Sequence, residues 1–410
     1  MKRYVIIGNG TAAVGCIEGI RSIDASGEIT VISKEAHHVY SRPLISYYLE
    51  KKTDLERMKY RGDDFYNENG CRVMYGRRAV SLDPERGSVA MDDGTLISFD
   101  SVCVATGSRP FVPPFEGLDS VKNKFGFMTL DDALALEAVL TKTSRVLIVG
   151  AGLIGLKCAE GIRERVGSVT VCDLSERVLS SILDAESASI VREHIEKNGI
   201  DFLLGDTAVR FDENKAYMKS GKTVDFDILV LAVGVRSNIE LVKDAGGDTD
   251  RGIVIGGKGE TSIKNVYAAG DCAQGYDAAS GKSRVLAILP CAYMQGYAAG
   301  VNMAGGDASF DDAVPMNSVG FFGLHIMTAG VYEGDMSEEK TDGALKRFFT
   351  SDGVLKGFIL IGATERAGIY TSLIREKTPL ESVDFELTKK IATNMIYSQK
   401  IRRKKFGGVV

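Results

Sequence analysis

The chain has 410 residues, of which 44% are hydrophobic and 26% are charged, and its formal net charge at pH 7 is −5. This length predicts two or three domains with ample core, and the acidic balance argues against nucleic acid as a partner. No stretch approaches the roughly 18 apolar residues of a membrane-spanning helix, and the apolar run after Met1-Lys2-Arg3 is too short for a signal peptide. We therefore expect a soluble, cytoplasmic protein.

Cysteine and histidine usage bears on the redox compartment and on metal binding. The seven cysteines form no C-x-x-C pair and are odd in number, which fits reduced thiols in a cytosol and argues against an iron–sulfur cluster or a zinc site. The four histidines are scattered, and the pair His37-His38 lacks a third ligand at metal spacing. No metal site is expected.

The chain begins with a pattern that is typical of a dinucleotide-binding fold. A strand, Tyr4–Ile7, runs into the turn Gly8-Asn9-Gly10-Thr11-Ala12-Ala13, and a second strand, Glu28–Ile32, is followed by Glu35. In such folds the glycines let the backbone approach a pyrophosphate, and the following helix offers unpaired N–H groups to the phosphates. The first domain is therefore predicted to bind a dinucleotide.

A helix, several short strands and a linker are predicted before the next fold. Residues 43–49 begin with a proline and have an apolar spacing that suits a helix. Residues 71–104 are typical of short strands, and the last of these, Val102–Val104, ends in Ala105-Thr106-Gly107. The proline-rich residues 108–117 predict an inter-domain linker.

The central stretch repeats the first pattern more completely. A strand, Arg145–Val149, runs into Gly150-Ala151-Gly152-Leu153-Ile154-Gly155, and after an amphipathic helix the strand Ser168–Cys172 ends on Asp173. The first glycine allows the tight turn, the second leaves room for a pyrophosphate, and the third lets helix and strand pack closely. Asp173 is placed to accept hydrogen bonds from a ribose 2′-hydroxyl and would repel a 2′-phosphate. We therefore predict that this domain binds NADH rather than NADPH.

Beyond the second fold the chain returns to the first domain and then changes character. A buried strand followed by Gly234 closes the second fold, and a later strand ends in Ala269-Gly270-Asp271, where a carboxylate can accept from sugar hydroxyls. A hairpin and a short helix then follow in a segment of α+β character. The sequence thus predicts an α/β protein with two Rossmann-like dinucleotide-binding domains and a small α+β C-terminal domain. The predicted boundaries are 1–112 with 245–316 for the first domain, 113–244 for the second, 317–385 for the third, and 386–410 for a basic tail.

The order of these motifs resembles that of the two-dinucleotide flavoprotein reductases, the pyridine nucleotide–disulfide oxidoreductase superfamily. The two glycine turns, Ala105-Thr106-Gly107 and Ala269-Gly270-Asp271 occur in the same order, over about residues 1–380. Within that superfamily, Tyr40-Ser41-Arg42-Pro43-Leu44-Ile45-Ser46 is most similar to the NADH:rubredoxin reductases and to the flavoprotein part of NADH-dependent nitrite reductases. The resemblance implies FAD in the first fold and NADH in the second.

The resemblance also implies which residues hold each cofactor. Glu35 would bind the adenosine ribose of FAD, Arg42 and Pro43 would lie near the flavin, and Asp271 would bind the ribityl chain. The set implied for FAD is Gly8, Asn9, Gly10, Thr11, Ala12, Ala13, Glu35, Arg42, Pro43, Ala105, Thr106, Gly107 and Asp271. The set implied for NAD is Gly150, Gly152, Leu153, Ile154, Gly155, Asp173 and Gly234.

The segment 42–49 lacks a feature of the disulfide reductases in this superfamily. Those enzymes carry C-x-x-x-x-C on the corresponding helix, and single-cysteine relatives keep one cysteine near position 42, whereas this segment has none. Electrons are therefore expected to leave from the flavin itself, which accepts a hydride and can release single electrons. The implied activity is NADH oxidation through FAD to a separate acceptor, with rubredoxin or a similar small redox protein as first choice. A flavoprotein subunit of a larger redox assembly and an NADH oxidase that reduces O2 are the alternatives, and the oligomeric state stays open.

Two positions depart from the pattern of the relatives, and the basic tail has two interpretations. Relatives often place a lysine on the arginine–proline helix and a glutamate on the helix after the NAD glycines, where this chain has Tyr47 and Lys157. Lys157, if it faces the flavin, would stabilise the anionic reduced ring or grip an anionic acceptor. The alternative is a solvated lysine or one paired with Glu160.

The basic run 400–405 would steer an acidic electron carrier, or else form a solvated terminus.

Overall fold

The computed structural model describes residues 1–341 and 343–406. Its α-helices are α1 (Thr11–Arg21), α2 (Leu44–Leu49), α3 (Phe65–Glu68), α4 (Leu130–Glu137), α5 (Leu153–Ile162), α6 (Ala185–Lys197), α7 (Glu240–Asp244), α8 (Leu289–Met303), α9 (Gly368–Arg375), α10 (Phe385–Lys390) and α11 (Gln399–Phe406). Its strands are β1 (Arg3–Ile7), β2 (Glu28–Ser33), β3 (Cys71–Tyr75), β4 (Ala79–Asp83), β5 (Ser88–Met91), β6 (Leu96–Ser98), β7 (Ser101–Val104), β8 (Ser108–Pro110), β9 (Lys124–Phe125), β10 (Arg145–Val149), β11 (Ser168–Asp173), β12 (Ile200–Leu204), β13 (Ala208–Asp212), β14 (Lys215–Met218), β15 (Thr223–Asp225), β16 (Ile228–Leu231), β17 (Val235–Ser237), β18 (Ile253–Val254), β19 (Val266–Ala268), β20 (Ala273–Asp277), β21 (Lys282–Arg284), β22 (Met316–Phe321), β23 (Leu324–Gly330), β24 (Asp335–Thr341), β25 (Ala344–Ser351) and β26 (Val354–Ile361).

The first glycine turn lies at the carboxyl end of a parallel five-stranded sheet with the strand order β19-β7-β1-β2-β3. Its central strands β1 and β7 are short apolar runs that are almost entirely buried, as expected for a parallel sheet covered by helices. β1 and β2 pair in register from Arg3↔Glu28 to Ile7↔Ile32, so Gly8 begins its turn at the edge where β2 also ends. This arrangement confirms the α/β character predicted for the first fold.

Glycines allow α1 and α8 to cross at very short range. A Cβ atom at Gly15 or Gly19 of α1 would lie 2.2 or 2.3 Å from a backbone oxygen of α8, and one at Gly296 would lie 2.0 Å from the oxygen of Ala12. These distances leave no space for a larger side chain unless a helix moves. The contact with α8 thus fixes the position of α1, whose first turn follows Gly10.

The second glycine turn repeats the geometry of the first. Its sheet is also parallel and has the strand order β12-β11-β10-β16-β9. The amide of Gly8 donates to the oxygen of Ile32 at 2.8 Å, and the amide of Gly150 donates to the oxygen of Cys172 at 2.7 Å. The prediction that both folds follow one plan is therefore confirmed.

The two segments that connect the dinucleotide folds, which contain β8 and β17, pair with each other. β8, inside the predicted linker 108–117, forms a two-stranded antiparallel sheet with β17. Next to β17, the side chain of Asn238 donates to the oxygen of Thr106 at 2.8 Å, and its amide donates to the oxygen of Gly107 at 2.9 Å. Both glycine turns lie in one compact unit, which comprises Met1–Ser181, Ile195–Gly275 and Ser283–Phe310. The boundaries at 112/113 and 244/245 inside this unit stay predictions.

A second compact unit comprises Ile182–His194, Tyr276–Lys282 and the described residues between 311 and 406. It contains an antiparallel five-stranded sheet with the order β22-β23-β26-β25-β24. The hairpin and the short helix predicted from the sequence are present as β25, β26 and α9, and the hairpin is longer than the sequence indicated. The segment 182–194 belongs to this unit, although the sequence assigned it to the second dinucleotide domain.

Most of the predicted basic tail is part of this second compact unit, which is called the C-terminal unit below. Residues 386–406 include most of α10 and all of α11, and Ile396 and Tyr397 are buried in the apolar core of this unit. The hydroxyl of Tyr370 on α9 donates to the oxygen of Thr388 at 2.7 Å and ties α10 to that core. Residues 407–410 of the predicted tail lie outside the described residues.

Candidate functional site

Gly8 and Gly150 begin the two turns and press against the ends of neighbouring strands. Gly8 has φ +123° and Gly150 has φ +117°, values that residues with side chains rarely adopt. A Cβ atom at Gly8 would lie 2.0 Å from the oxygen of Ala105, and one at Gly150 would lie 2.2 Å from the oxygen of Ala232. Both positions therefore require glycine for the fold itself.

Gly10 and Gly152, two residues later in each turn, face open space instead. Apart from the adjoining residues of the turn and helix, no described atom lies within 4 Å of a Cβ built at either position. Each glycine is the N-cap of the helix that follows, α1 or α5, and has no side chain to cover the first-turn amides. Open space in front of the amides at a helix N-terminus fits a pyrophosphate. The residues present thus fit one dinucleotide at each turn.

The other residues of the two turns support this geometry. A Cβ at Gly155 would lie 2.0 Å from the oxygen of Gly150, so the third glycine lets helix and turn pack closely. The side chain of Asn9 donates to the oxygen of His37 at 3.3 Å and accepts from the hydroxyl of Tyr66, which anchors the first turn. The remaining predicted turn residues open the two helices: Thr11, Ala12 and Ala13 in α1, and Leu153 and Ile154 in α5.

Glu35 is held by two side chains of the segment before α2. Tyr40 donates its hydroxyl hydrogen to the carboxylate of Glu35 at 2.7 Å, and the guanidinium of Arg42 forms an ion pair with the same carboxylate. The hydroxyl of Tyr40 also accepts from the amide of Leu130 at 2.9 Å, and Arg42 donates to the oxygen of Met128 at 3.0 Å. The structure thus brings Arg42 to the acid expected at the adenosine ribose. It also adds Tyr40, which the sequence motif contained but the predicted site did not.

Arg42 and Asp271 are close enough for their charges to interact. Burial opposes the charge of Arg42, but Tyr40 and the carboxylates around it raise its pKa above the ordinary value. Burial raises the pKa of Asp271, while a hydrogen bond from the hydroxyl of Ser108 at 3.2 Å and the charge of Arg42 act in the opposite direction. Because β19 and β7 are neighbours in the sheet, Asp271 and Ala105-Thr106-Gly107 leave it at the same edge. Pro43, which also belongs to the predicted FAD set, is the N-cap of α2.

Asp173 ties the end of β11 to the second glycine turn. Its Oδ2 accepts from the amide of Ala151 at 2.7 Å, and its Oδ1 accepts from the amide of Ser175 at 2.7 Å. A carboxylate has about four acceptor sites, so lone pairs stay available for the hydroxyls of a ribose. Gly234, with φ +117°, follows β16 at the same edge of the sheet and also faces open space.

Replacing Asp173 with alanine is expected to lower the preference for NADH over NADPH about tenfold, because this removes the carboxylate that we expect to repel a 2′-phosphate. The measurement is the ratio of kcat/KM for the two cofactors. Asp201→Ala serves as the matched control, since Asp201 is an exposed carboxylate on the adjacent strand β12 and should leave the ratio unchanged. An unchanged ratio in Asp173→Ala would refute the ribose role.

Lys157 and Tyr47 meet where α5 packs against α2. The ammonium of Lys157 forms an ion pair with Glu160, one turn further along α5, and lies 4.7 Å from the ring centroid of Tyr47. The side chain of Lys157 is only 16% exposed. The pairing with Glu160 that the sequence offered as the alternative is therefore present. The same ammonium also makes a cation–π contact with Tyr47, the other residue that the sequence predicted here.

Six of the seven cysteines are buried. Burial raises the pKa of Cys71 and of Cys272 to about 11 and that of Cys172 to about 12. Such thiols stay protonated near neutral pH and are weak nucleophiles. The segment 42–49 contains no cysteine, so the polar chemistry at α2 is that of Tyr47 and the residues around it.

The described ranges, 1–341 and 343–406, contain neither a metal-binding cluster nor a membrane-crossing helix. In these ranges, no group of three or more His, Cys, Asp or Glu side chains is arranged to hold a metal ion. Within the same ranges, no helix combines the length and the apolar character that crossing a membrane requires.

Comparisons with known proteins are consistent with two dinucleotide turns in one chain. A family model described as pyridine nucleotide-disulphide oxidoreductase matches residues 2–296. The chain is 32% identical, over 92% of each protein, to the NADH-dependent phenylglyoxylate dehydrogenase subunit epsilon of Aromatoleum evansii. It is 25% identical to the NADH-rubredoxin oxidoreductase of Clostridium acetobutylicum, over 81% of this chain and 83% of that protein. Of two further relatives from Bacillus subtilis it spans only 50% and 44% of the length.

A solved structure shares the fold along almost the whole chain. The covalent putidaredoxin reductase–putidaredoxin complex superposes with a TM-score of 0.88 and covers 96% of this chain and 97% of that chain. The identity is 22%, so this likeness shows the fold alone.

Proposed function

Because the chain belongs to the pyridine nucleotide-disulphide oxidoreductase family, we propose that it oxidises NADH through bound FAD and passes the electrons to a separate protein acceptor. Rubredoxin or a similar small redox protein is the acceptor that we propose. Membership of the family makes the chain an NAD(P)H-dependent flavin oxidoreductase with FAD and NAD(H) as its cofactors. The preference for NADH, the acceptor and the roles of single residues are parts of the proposal.

The observation that carries the proposal is the pair of open glycine positions in one compact unit. Gly10 and Gly152 each face a volume free of described atoms at the start of a helix. Both belong to the same compact unit, which supports the binding of two dinucleotides by one chain. A hydride donor and a hydride acceptor held on one chain react without the entropic cost of a bimolecular encounter.

The chain's own residues bind and orient the two cofactors. FAD, when bound, accepts a hydride and gives up electrons singly. The amides at the start of α1 and of α5 hold the pyrophosphates. Glu35, fixed by Tyr40 and Arg42, accepts from the adenosine ribose of FAD, and Asp271 accepts from the ribityl hydroxyls. Asp173 accepts from the ribose of NADH and repels a 2′-phosphate, which selects NADH.

Two features support a protein that takes single electrons as the acceptor. The segment 42–49 has no cysteine, so no thiol there can take up electrons and pass them on. The relative from Clostridium acetobutylicum, similar over 81% of this chain, is named an NADH-rubredoxin oxidoreductase. A single-electron carrier suits a flavin that receives electrons in pairs and releases them singly.

A flavoprotein subunit of a larger redox assembly is the second candidate. It is favoured by the relative from Aromatoleum evansii, which is named as a subunit and matches over 92% of both chains. In that case the isolated chain would still be reduced by NADH, but it would turn over slowly with free carriers.

Stopped-flow spectroscopy separates these functions. Rapid bleaching of the flavin by NADH followed by rapid reoxidation with rubredoxin is the expected result. A long-lived reduced flavin that reoxidises only inside an assembly would favour the second candidate. Uptake of O2 with no added carrier would instead indicate an NADH oxidase.

Lys157→Met is expected to slow flavin reduction or acceptor turnover about tenfold, because the ammonium beside Tyr47 no longer stabilises negative charge near the cofactors. Lys157→Arg keeps the cation and should retain most of the rate. Stopped-flow rates of the two half-reactions measure the effect. If Lys157→Met keeps wild-type rates in both steps, Lys157 serves only to pair with Glu160.

A further inference from the structure

In the C-terminal segment, from α10 to the short 3-10 turn Asn394–Ile396 that follows it, buried and exposed residues recur four positions apart. Thr388, Ala392 and Ile396 are 0%, 6% and 4% exposed, and they anchor the segment to its own unit. Their immediate predecessors form an outer set that is 37%, 60% and 65% exposed: Leu387, Ile391 and Met395. Large apolar side chains exposed together in one short segment are typical of a surface that another molecule covers.

Basic residues are concentrated in the same segment of the chain as this outer set. Residues 385–406 carry seven basic side chains and one acidic side chain, whereas the whole chain has a net charge of −5. Arg402 of α11 donates to the sulfur of Met395 at 3.0 Å, and this hydrogen bond joins the basic helix to the outer set. Among the described residues, no carboxylate forms an ion pair with the exposed cations Lys390, Lys400, Arg403 and Lys404.

The distribution of apolar residues argues against a lipid surface. A helix that lies on a membrane presents apolar residues along its own face, beside its cations. In α11 the aliphatic residue Ile401 packs against the core of its own unit instead. The exposed apolar residues lie before α11, from α10 to the turn at Met395, and none of the side chains of α11 that the structure describes, 399–404, offers an apolar face to lipid.

The charge argues against a second copy of this chain. A symmetric dimer through this surface would place the same patch on both sides of the interface. The basic side chains of the two copies would then face each other, and like charges at an interface are unfavourable. An acidic partner meets no such penalty and is attracted over long range.

We propose that a docking surface for an acidic redox protein that exchanges electrons with this chain is formed by an apolar set and a set of exposed cations: Leu387, Ile391 and Met395 with Lys390, Lys400, Arg403 and Lys404. The proposal rests on the proposed function, because it names the surface that the separate acceptor contacts. The apolar set would supply the contact area that is removed from water, and the cations would steer the approach and fix the orientation.

Binding titrations of the FAD-loaded protein with an acidic rubredoxin and an acidic ferredoxin test the proposal. We expect at least one carrier to bind, with an affinity that falls as salt is added. The triple variant Leu387→Ser, Ile391→Ser, Met395→Ser should weaken that binding at least about tenfold. The variant Lys400→Glu, Arg403→Glu, Lys404→Glu should weaken it and remove most of its salt dependence. Because all six side chains are exposed or at the surface, both variants should keep the wild-type unfolding temperature.

Matched controls use exposed residues of the other unit. Leu96→Ser and Arg86→Glu alter an apolar residue that is 67% exposed and a cation whose side chain is 86% exposed, and neither should change the affinity. Binding of neither carrier, or equal binding by all variants, would overturn the proposal. The proposal would also be overturned if the wild-type protein bound anionic phosphatidylserine vesicles, or dimerised, and the triple variant lost that property while its affinity for the carrier stayed unchanged. Reduction of ferricyanide by NADH tests the proposed function independently, so a failure of the docking surface is distinguishable from a failure of the function.

Discussion

Gly10→Ala is expected to give a folded protein that binds FAD about 10- to 100-fold more weakly, whereas Gly152→Ala is expected to keep FAD and to weaken NADH by a similar factor. At both positions an added methyl group meets no described atom within 4 Å apart from the adjoining residues, so the fold should accept it. The same methyl group would extend into the space that we assign to a pyrophosphate. The measurements are the flavin absorbance per polypeptide after gel filtration and the KM for NADH.

Gly8→Ala and Gly150→Ala are the matched controls for this pair. An added methyl group at Gly8 would lie 2.0 Å from a backbone oxygen, and one at Gly150 would lie 2.2 Å from another, so these variants should lose stability rather than one cofactor. If Gly10→Ala and Gly152→Ala both lost FAD, or both left FAD and NADH binding intact, the assignment of one dinucleotide to each turn would be wrong.

Arg347→Met is expected to destabilise the C-terminal unit by about 2–3 kcal/mol. This free energy is smaller than the loss expected for a fully buried ion pair, because the carboxylates that pair with Arg347 are partly exposed. Arg347 is 6% exposed and donates to Asp184 at 2.6 Å and to Glu338 at 2.6 and 2.8 Å, and it also pairs with Glu186. Methionine fills much of the same volume but leaves these carboxylates without their shared cation. Chemical unfolding of wild type and variant measures the difference.

The effect of Arg347→Met should depend on pH. Burial opposes the charge of Asp184, but hydrogen bonds from Ser187 and Arg347 bring its pKa below the ordinary value. A carboxyl whose pKa is lowered by folding contributes stability above its unfolded pKa and loses that contribution as the pH falls. The difference between wild type and variant should therefore be complete above about pH 4 and shrink below it.

Lys340→Met is the control for the Arg347 network. The side chain of Lys340 is 57% exposed and forms an ion pair with the outer carboxylate, Glu186, at 2.9 Å. Exposed pairs of this kind contribute about 0–1 kcal/mol. Equal destabilisation by Lys340→Met and Arg347→Met would mean that burial of Arg347 has no special role.

The parts of the fold that depend on local sequence were predictable. Gly8 and Gly150 follow short buried strands, and the strand–glycine–helix order is readable because each piece requires only its neighbours along the chain. The same holds for α9 and for the hairpin of β25 and β26, whose turn residues and apolar spacing are local signals.

The parts that depend on contacts between distant residues were not predictable. Tyr40 meets Leu130 across ninety positions, and Arg347 meets Asp184 across more than one hundred and sixty. No periodicity or turn residue in either segment indicates such a partner. For the same reason the sequence assigned 182–194 to the second dinucleotide domain, whereas Tyr332 and Arg347 hold that segment in the C-terminal unit.

The candidate site divides in the same way. The two glycine turns and the acids after their second strands could be named from spacing alone. The hydrogen bonds of Asp173 to the glycine turn, the ion pair between Arg42 and Glu35, and the position of Lys157 between Glu160 and Tyr47 depend on tertiary packing. These contacts define the charge around each proposed cofactor position, and they therefore determine which substitutions are informative.

An anaerobic titration of the FAD-loaded protein with NADH tests the central claim most directly. The claim is that NADH reduces a flavin held by the same chain and that no thiol pair stores further electrons. We predict that one equivalent of NADH per FAD bleaches the flavin completely and that the number of free thiols does not change. Uptake of a second equivalent with the appearance of two new thiols, or purified protein that takes up no FAD, would contradict it.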